Sequence, residues 1–412
     1  MATVRPFKAV RPAENMADKV AALPYDVMNT AEARAMVKGK PYSFLHVDKA
    51  EIDLPEDTDP YSEQVYIKAA ENLKKLQKDG ILKKDDRDCF YIYCLTMDGR
   101  TQRGLVCTTA IDEYINSTIK KHELTRADKE QDRINHVDYC NANTGPIFLA
   151  CRRNADAADI MEAEMKKPPI YDFVAEDGVR HTVYVIDDKN TIDRIKKDFE
   201  TVESLYIADG HHRNASAVKV GLKRRAENPG YTGEEEFNYY LSVIFFGDEL
   251  KILDYNRVVK DLNGLTEKEF TDKIRERFDL EPSDNEVKPD KAHVFGMYMG
   301  GKWYILTAKA DIIPDDAVKS LDVSILQDNV LSAILGIDDP KTDKRIDFVG
   351  GIRGLKELVR LVDGGEYKAA FSMYPTSVEE LMRIADEGKI MPPKSTWFEP
   401  KLRSGIFVHE LE

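Results

Sequence analysis

Apolar residues recur at Val65, Ala69, Leu73 and Leu76, a spacing that lines up side chains on one helix face, and predict a helix over Tyr61–Lys78 that stops at Gly80. The pattern then changes period. Cys89–Thr96 and Thr101–Thr109 are β-prone apolar runs around Met97-Asp98-Gly99-Arg100, and an Asp-Gly pair between two such runs predicts a hairpin. From Asp112 to Arg133 the chain turns polar, with too few apolar positions for a wide buried face, and a solvated helix is expected. Strands are predicted at His181–Ile186 and Ser204–Ala208, and helices at Thr191–Glu203 and Asn214–Ala226. Tyr239–Phe246 and Leu250–Val258, joined at Gly247-Asp248, read as a second hairpin. Beyond Asn263-Gly264 come a helix (Glu267–Phe278), a hairpin through Gly300-Gly301 and alternating α and β segments. The class is therefore α/β in the mixed α+β sense. The change of texture places a domain boundary near residue 263, dividing the chain into residues 1–263 and 264–412.

Composition narrows the function classes. The 412 residues are 42% hydrophobic, enough for a sizeable core, while 33% are charged against a norm of about 25%. No run approaches the ~18 apolar residues of a membrane span, and Met1–Pro6 lacks the apolar region of a signal peptide. A cytoplasmic location and no membrane partner are expected. The net charge of −14 disfavours nucleic acid, whose phosphates demand concentrated Lys and Arg. Five cysteines, odd in number and never spaced C-x-x-C, indicate neither a disulfide framework nor a structural zinc site.

Two segments carry the chemistry. The first is Asp209-Gly210-His211-His212-Arg213, where a β-run ends in an Asp-Gly turn and nitrogen-rich side chains open a helix. Glycine lets the backbone approach a ligand, the helix N-terminus offers free N–H groups, and Arg213 can grip a phosphate with two parallel bonds. The same turn also reads as an ordinary strand-to-helix connection with Asp209 as a cap. No metal is assigned here, because adjacent histidines rarely converge on one ion and no third ligand is spaced nearby. The second segment is Lys121–Arg133, with His122, Glu123, Arg126, Lys129 and Arg133. As a solvated face it would be laced by ion pairs at helical spacing. His122-Glu123 opens like a zincin motif, but Arg126 stands where the second histidine is required, which excludes a metalloprotease. Gly296–Lys302 imitates a phosphate loop, yet Trp303 replaces the hydroxyl residue. Lys394-Ser395-Thr396, after a rigid Pro-Pro, offers a cation and two hydroxyls for a phosphate or carboxylate, and reads equally well as a proline-rich surface tail.

Leu23-Pro24-Tyr25-Asp26-Val27, the Lys121–Arg133 block, the Asp209–Arg213 turn and the Pro392–Leu402 tail together resemble an uncharacterised bacterial and archaeal family. That family is similar to the free serine kinases of the ParB/sulfiredoxin-like superfamily. The resemblance implies a ParB/sulfiredoxin-like nucleotide-binding core within residues 1–263, with insertions, and a C-terminal α/β region ending in a substrate-contacting tail. It implies a kinase that uses ATP or ADP with Mg²⁺ to phosphorylate the hydroxyl of free L-serine, giving O-phospho-L-serine. Asp209, Gly210, His211, His212 and Arg213 then hold the nucleotide phosphates, joined by Arg126, Lys129 and Arg133. Lys394 with Ser395 or Thr396 grips the serine carboxylate. Glu123 ranks ahead of Asp26 as the catalytic base, with His122 beside it. A nucleotide-binding regulator without turnover is the competing reading, and homodimerisation is left open.

Overall fold

The computed structural model describes all 412 residues, which form two compact units. One comprises Met1–Leu250 together with Pro400–Glu412; the other is Lys251–Glu399. The class is mixed α+β. No helix is long and apolar enough to cross a membrane.

The first unit is built on a nine-stranded mixed sheet. Its spatial order is Ile119–Lys120, Leu205–Asp209, Ile147–Cys151, Tyr239–Phe246, Arg100–Ala110, Phe90–Met97, Arg180–Ile186 and Tyr171–Val174, with Val4–Arg5 also pairing with Arg100–Ala110. Phe90 to Leu95 are all buried, so this central strand is covered on both faces. Its hairpin turns through Asp98 and Gly99 at φ 53° and 76°, the positive values that a tight two-residue turn requires. Gly104 sits opposite Phe245, and an added Cβ would lie 2.7 Å from that ring. The helix Glu63–Lys78 buries Val65, Ala69, Leu73 and Leu76 as its period predicted. All five cysteines are free and buried.

Three sequence expectations need correction. The Asp112–Arg133 stretch is not one helix. It breaks into a short helix (Ile111–Ile115), a two-residue strand (Ile119–Lys120) and a loop, and the helix begins at Ala127 and runs to Cys140. The second hairpin does not form either. Tyr239–Phe246 pairs with Arg100–Ala110 and Ile147–Cys151, whereas Tyr255–Val259 pairs with Ile346–Gly350 and Ala369–Ser372. The Gly247-Asp248 turn is thus the approach to the unit boundary, which falls at Leu250 and not at 263. Finally, the chain's last residues rejoin the first unit. Ser404 and Val408 bridge to Ala22 and Val10, and His409–Glu410 pairs with Ala142–Asn143. A single cut in the sequence cannot describe that return.

The second unit is a six-stranded antiparallel sheet in the order Phe278–Ser283, Lys302–Ala308, Val294–Met299, Ala369–Ser372, Tyr255–Val259 and Ile346–Gly350. The helix Leu355–Asp363 lays Leu358 and Leu361 against Val258, Tyr298, Trp303 and Ala370. Gly300-Gly301 turns the hairpin as predicted, so the phosphate-loop imitation is a strand pair.

His181, in the first unit's sheet, is fully buried between Tyr93 and Arg403. The Arg403 Nε donates to its Nε2 at 3.3 Å, and burial followed by the Arg403 charge pushes its pKa down to about 3. Below pH ~6.5 the unfolded chain binds a proton here that the native state refuses, so stability falls as pH drops from ~6.5 towards 3. The expected slope from this residue is about 1.4 kcal/mol per pH unit. Urea midpoints at pH 7.5, 6 and 5 should show the decline, and His181→Gln should flatten it.

Candidate functional site

The strand Leu205–Asp209 ends with a register shift against Ile147–Cys151. Gly210 follows at φ 88°, a left-handed conformation that tolerates glycine best, and the helix His211–Glu227 begins at once. The Gly210 N–H donates to Asp209 Oδ1 at 2.8 Å, while Lys401 Nζ donates to Asp209 Oδ2 at 2.7 Å. The turn is therefore fixed from both sides. His211 points into the interior, and His212 is half-buried.

The helix Ala127–Cys140 packs along His211–Glu227, and Ser216 Oγ bridges them by bonds to the Glu130 and His212 carbonyls. The loop before that helix meets the turn. The Arg126 N–H donates to His212 Nε2 at 3.0 Å, and the His122 and His211 rings stand edge-on with centroids 4.5 Å apart. Accepting that bond requires an unprotonated Nε2, and burial, the first cause, lowers the His212 pKa accordingly. Two segments far apart in sequence thus share one place in the fold.

Below the turn lies a buried polar hub. Asp48, at the end of the short helix Leu45–Asp48, accepts from Arg213 Nη2 at 2.8 Å, Ser404 Oγ at 2.6 Å and Thr144 Oγ1 at 2.8 Å. Burial alone would raise its pKa; the Arg213 charge and the hydrogen bonds outweigh it and hold the carboxyl well below the usual range. Arg213 leaves only 13% of its side chain exposed. Gly145 makes room for it, because an added Cβ would sit 2.8 Å from the Arg213 Cζ. Tyr25 is flanked by both arginines, with Arg133 Cζ 4.0 Å and Arg213 Cζ 5.0 Å from its ring centroid. Arg133 pairs with Asp132 through Nε (3.0 Å) and Nη2 (2.9 Å), whereas its Nη1 is buried with no hydrogen-bond partner. Arg133, His136, Thr144, Gly145 and Arg213 line a recess at this point.

The remaining predicted residues take varied places. Asp26 is exposed on the single turn Tyr25–Val27, next to the flanked tyrosine. Arg126 is exposed and pairs with Asp128 at 2.8 Å, and Lys129 Nζ donates to the Tyr61 hydroxyl at 2.6 Å. Lys394, Ser395 and Thr396 belong to the other unit. There the Ser395 hydroxyl donates to the Pro392 carbonyl at 2.6 Å, and the Lys394 carbonyl accepts from Arg257 Nη2 at 3.0 Å. Sequence reasoning missed Asp48, His136, Thr144, Gly145 and Ser404, which carry no local motif. It also missed the third donor near the adjacent histidines: ligand atoms of His122, Glu123 and His211 all lie within 4.8 Å of one another.

Residues 4–324 match the model of a family described as a protein of unknown function, DUF1015. No curated relative matches the chain. Among solved structures it is similar to a free serine kinase in complex with AMP, at 17% identity over 73% of this chain and 91% of that one, with a TM-score of 0.38. A conserved hypothetical protein from Pyrococcus furiosus is similar at 17% identity, over 73% and 94%, with a TM-score of 0.36. SbnI with a C-terminal truncation, from Staphylococcus aureus, is similar at 10% identity, over 71% and 82%, with a TM-score of 0.38.

Removing Arg213 would strand the buried Asp48 charge. Arg213→Ala should therefore cost about 3–5 kcal/mol in urea unfolding. Arg126→Ala, on an exposed side chain, should stay within ~0.5 kcal/mol of the parent. Equal midpoints for the two variants would refute the hub's structural weight.

Proposed function

This chain belongs to the DUF1015 family, and from that premise we propose that its first unit binds the phosphates of ATP or ADP at Gly210–Arg213 and the adjoining recess. The bound nucleotide phosphorylates free L-serine. The observation that carries this reading is the unpartnered, buried Arg133 Nη1 beside Arg213, in a recess of about 10 Å³ that has room for a single oxygen atom of a phosphate and not for the whole group. A buried guanidinium N–H without an acceptor favours an anionic oxygen, and phosphoryl transfer needs chiefly position and charge neutralisation. The motif resemblance supplies the substrate class.

The serine Oγ attacks the terminal phosphorus, forming a new O–P bond while the bridging P–O bond breaks and ADP or AMP departs. A carboxylate accepts the hydroxyl proton. We assign that role to Asp26, which is exposed beside Tyr25 and contributes negative charge at His212. Glu123, ranked first on sequence, has its carboxylate grouped with the two imidazoles of His122 and His211. The Ser395 hydroxyl donates to the Pro392 carbonyl, and Lys394–Thr396 have no role in this step. Mg²⁺ wants six oxygen ligands, and the grouped donors near the turn are two nitrogens and one oxygen, a poor match. It would arrive on the nucleotide's own phosphates, and no step is assigned to it.

The full chain incubated with ATP or ADP, Mg²⁺ and each free amino acid should yield O-phospho-L-serine, read by mass spectrometry. Asp26→Asn should lower kcat by ~10²–10⁴ with nucleotide affinity retained. Nucleotide binding without any phosphorylated amino acid would instead favour a regulator.

A further inference from the structure

We propose that His122, Glu123 and His211 form a binding site for one divalent transition-metal ion of the Zn²⁺ class, with at least one coordination position open to an anionic oxygen. Convergence is the first ground. One ligand atom from each residue lies within 4.8 Å of the other two, close enough to share a single ion. The two histidines come from different elements, the loop before Ala127–Cys140 and the first turn of His211–Glu227, so no helical periodicity forces them together.

The unmet bonding of the rings is the second ground. His122 is 2% exposed and neither of its ring nitrogens has a hydrogen-bond partner; His211 is 7% exposed and its Nε2 has none. The Ile207 backbone is near His122 without reaching hydrogen-bond geometry. Buried polar atoms are normally paired, and a single ion could take one nitrogen from each ring together with one Glu123 oxygen. The rings stand at 89° to each other, so they act as separate donors and do not stack face to face.

Two nitrogens and one carboxylate oxygen suit Zn²⁺, Co²⁺, Mn²⁺ or Fe²⁺ and not the oxygen-seeking Mg²⁺ or Ca²⁺. Three protein ligands are also one fewer than a closed structural zinc site uses. The site is independent of the kinase reading: metal uptake needs no nucleotide.

The test uses the full chain, stripped with chelator and titrated with Zn²⁺ alone by calorimetry, with Co²⁺ as a visible-absorption probe. One Zn²⁺ per chain is expected, with His122→Ala and His211→Ala each weakening binding by about 100-fold or more, beyond the 10–100-fold lost with an outer partner of a ligand. His46→Ala, outside the group, should bind as the parent does. X-ray absorption on the unaltered Zn²⁺-loaded protein should show two imidazoles at about 2.0–2.1 Å plus oxygen, a readout that does not depend on any variant folding. Absence of stoichiometric uptake, an all-oxygen or sulfur shell, or parental affinity in a folded His122→Ala protein would overturn the proposal.

Discussion

The buried carboxylate of Asp48 gathers groups from four other stretches of chain, and most of the site's geometry follows from satisfying it. Arg213 comes from the helix after the glycine turn, Thr144 from the strand connection, His136 from Ala127–Cys140 and Ser404 from the returning C-terminus. A buried ion pair of this kind contributes little net stability compared with a well-packed apolar core. What it does supply is a heavy cost for any arrangement in which one partner is missing. That cost fixes the helix His211–Glu227 and the final residues in one register with the N-terminal region.

The electrostatic consequences spread outward from there. Once Arg213 is committed to Asp48, its outer face and Arg133 are left to enclose Tyr25. Arg133 spends two of its nitrogens on Asp132 and keeps one buried N–H unanswered. Above the turn the balance reverses: His122 and His211 are buried as neutral rings with unanswered nitrogens beside a carboxylate. His211 and Arg213 both lie in the first turn of the same helix, whose free N–H groups favour negative charge.

The break between the units has a similar lesson about what a strand pattern reports. Tyr239–Phe246 and Tyr255–Val259 are both apolar and β-prone, and a Gly-Asp pair separates the runs that contain them. Hairpin pairing requires each to be the other's best partner. In the fold, Tyr239–Phe246 finds two neighbours in one sheet and Tyr255–Val259 finds two in another, so the turn between them leads out of the first unit. The gain from pairing on both edges outweighs the convenience of a short connection.

Several features were already present in the sequence by itself. The helix over Glu63–Lys78, the hairpin at Asp98-Gly99, the glycine turn after Leu205–Asp209 and the mixed α+β class all follow from local periodicity and turn chemistry. Only the tertiary structure decided the rest. Asp48 sits in an unremarkable His-Val-Asp stretch, Gly145 is one glycine among 23, and nothing near His122 announces His211 as its neighbour. Periodicity reports which face of one element seeks the core. It carries no information about which polar groups from distant elements will be buried together, because that depends on long-range packing and on the penalty for leaving a buried charge or donor unpaired.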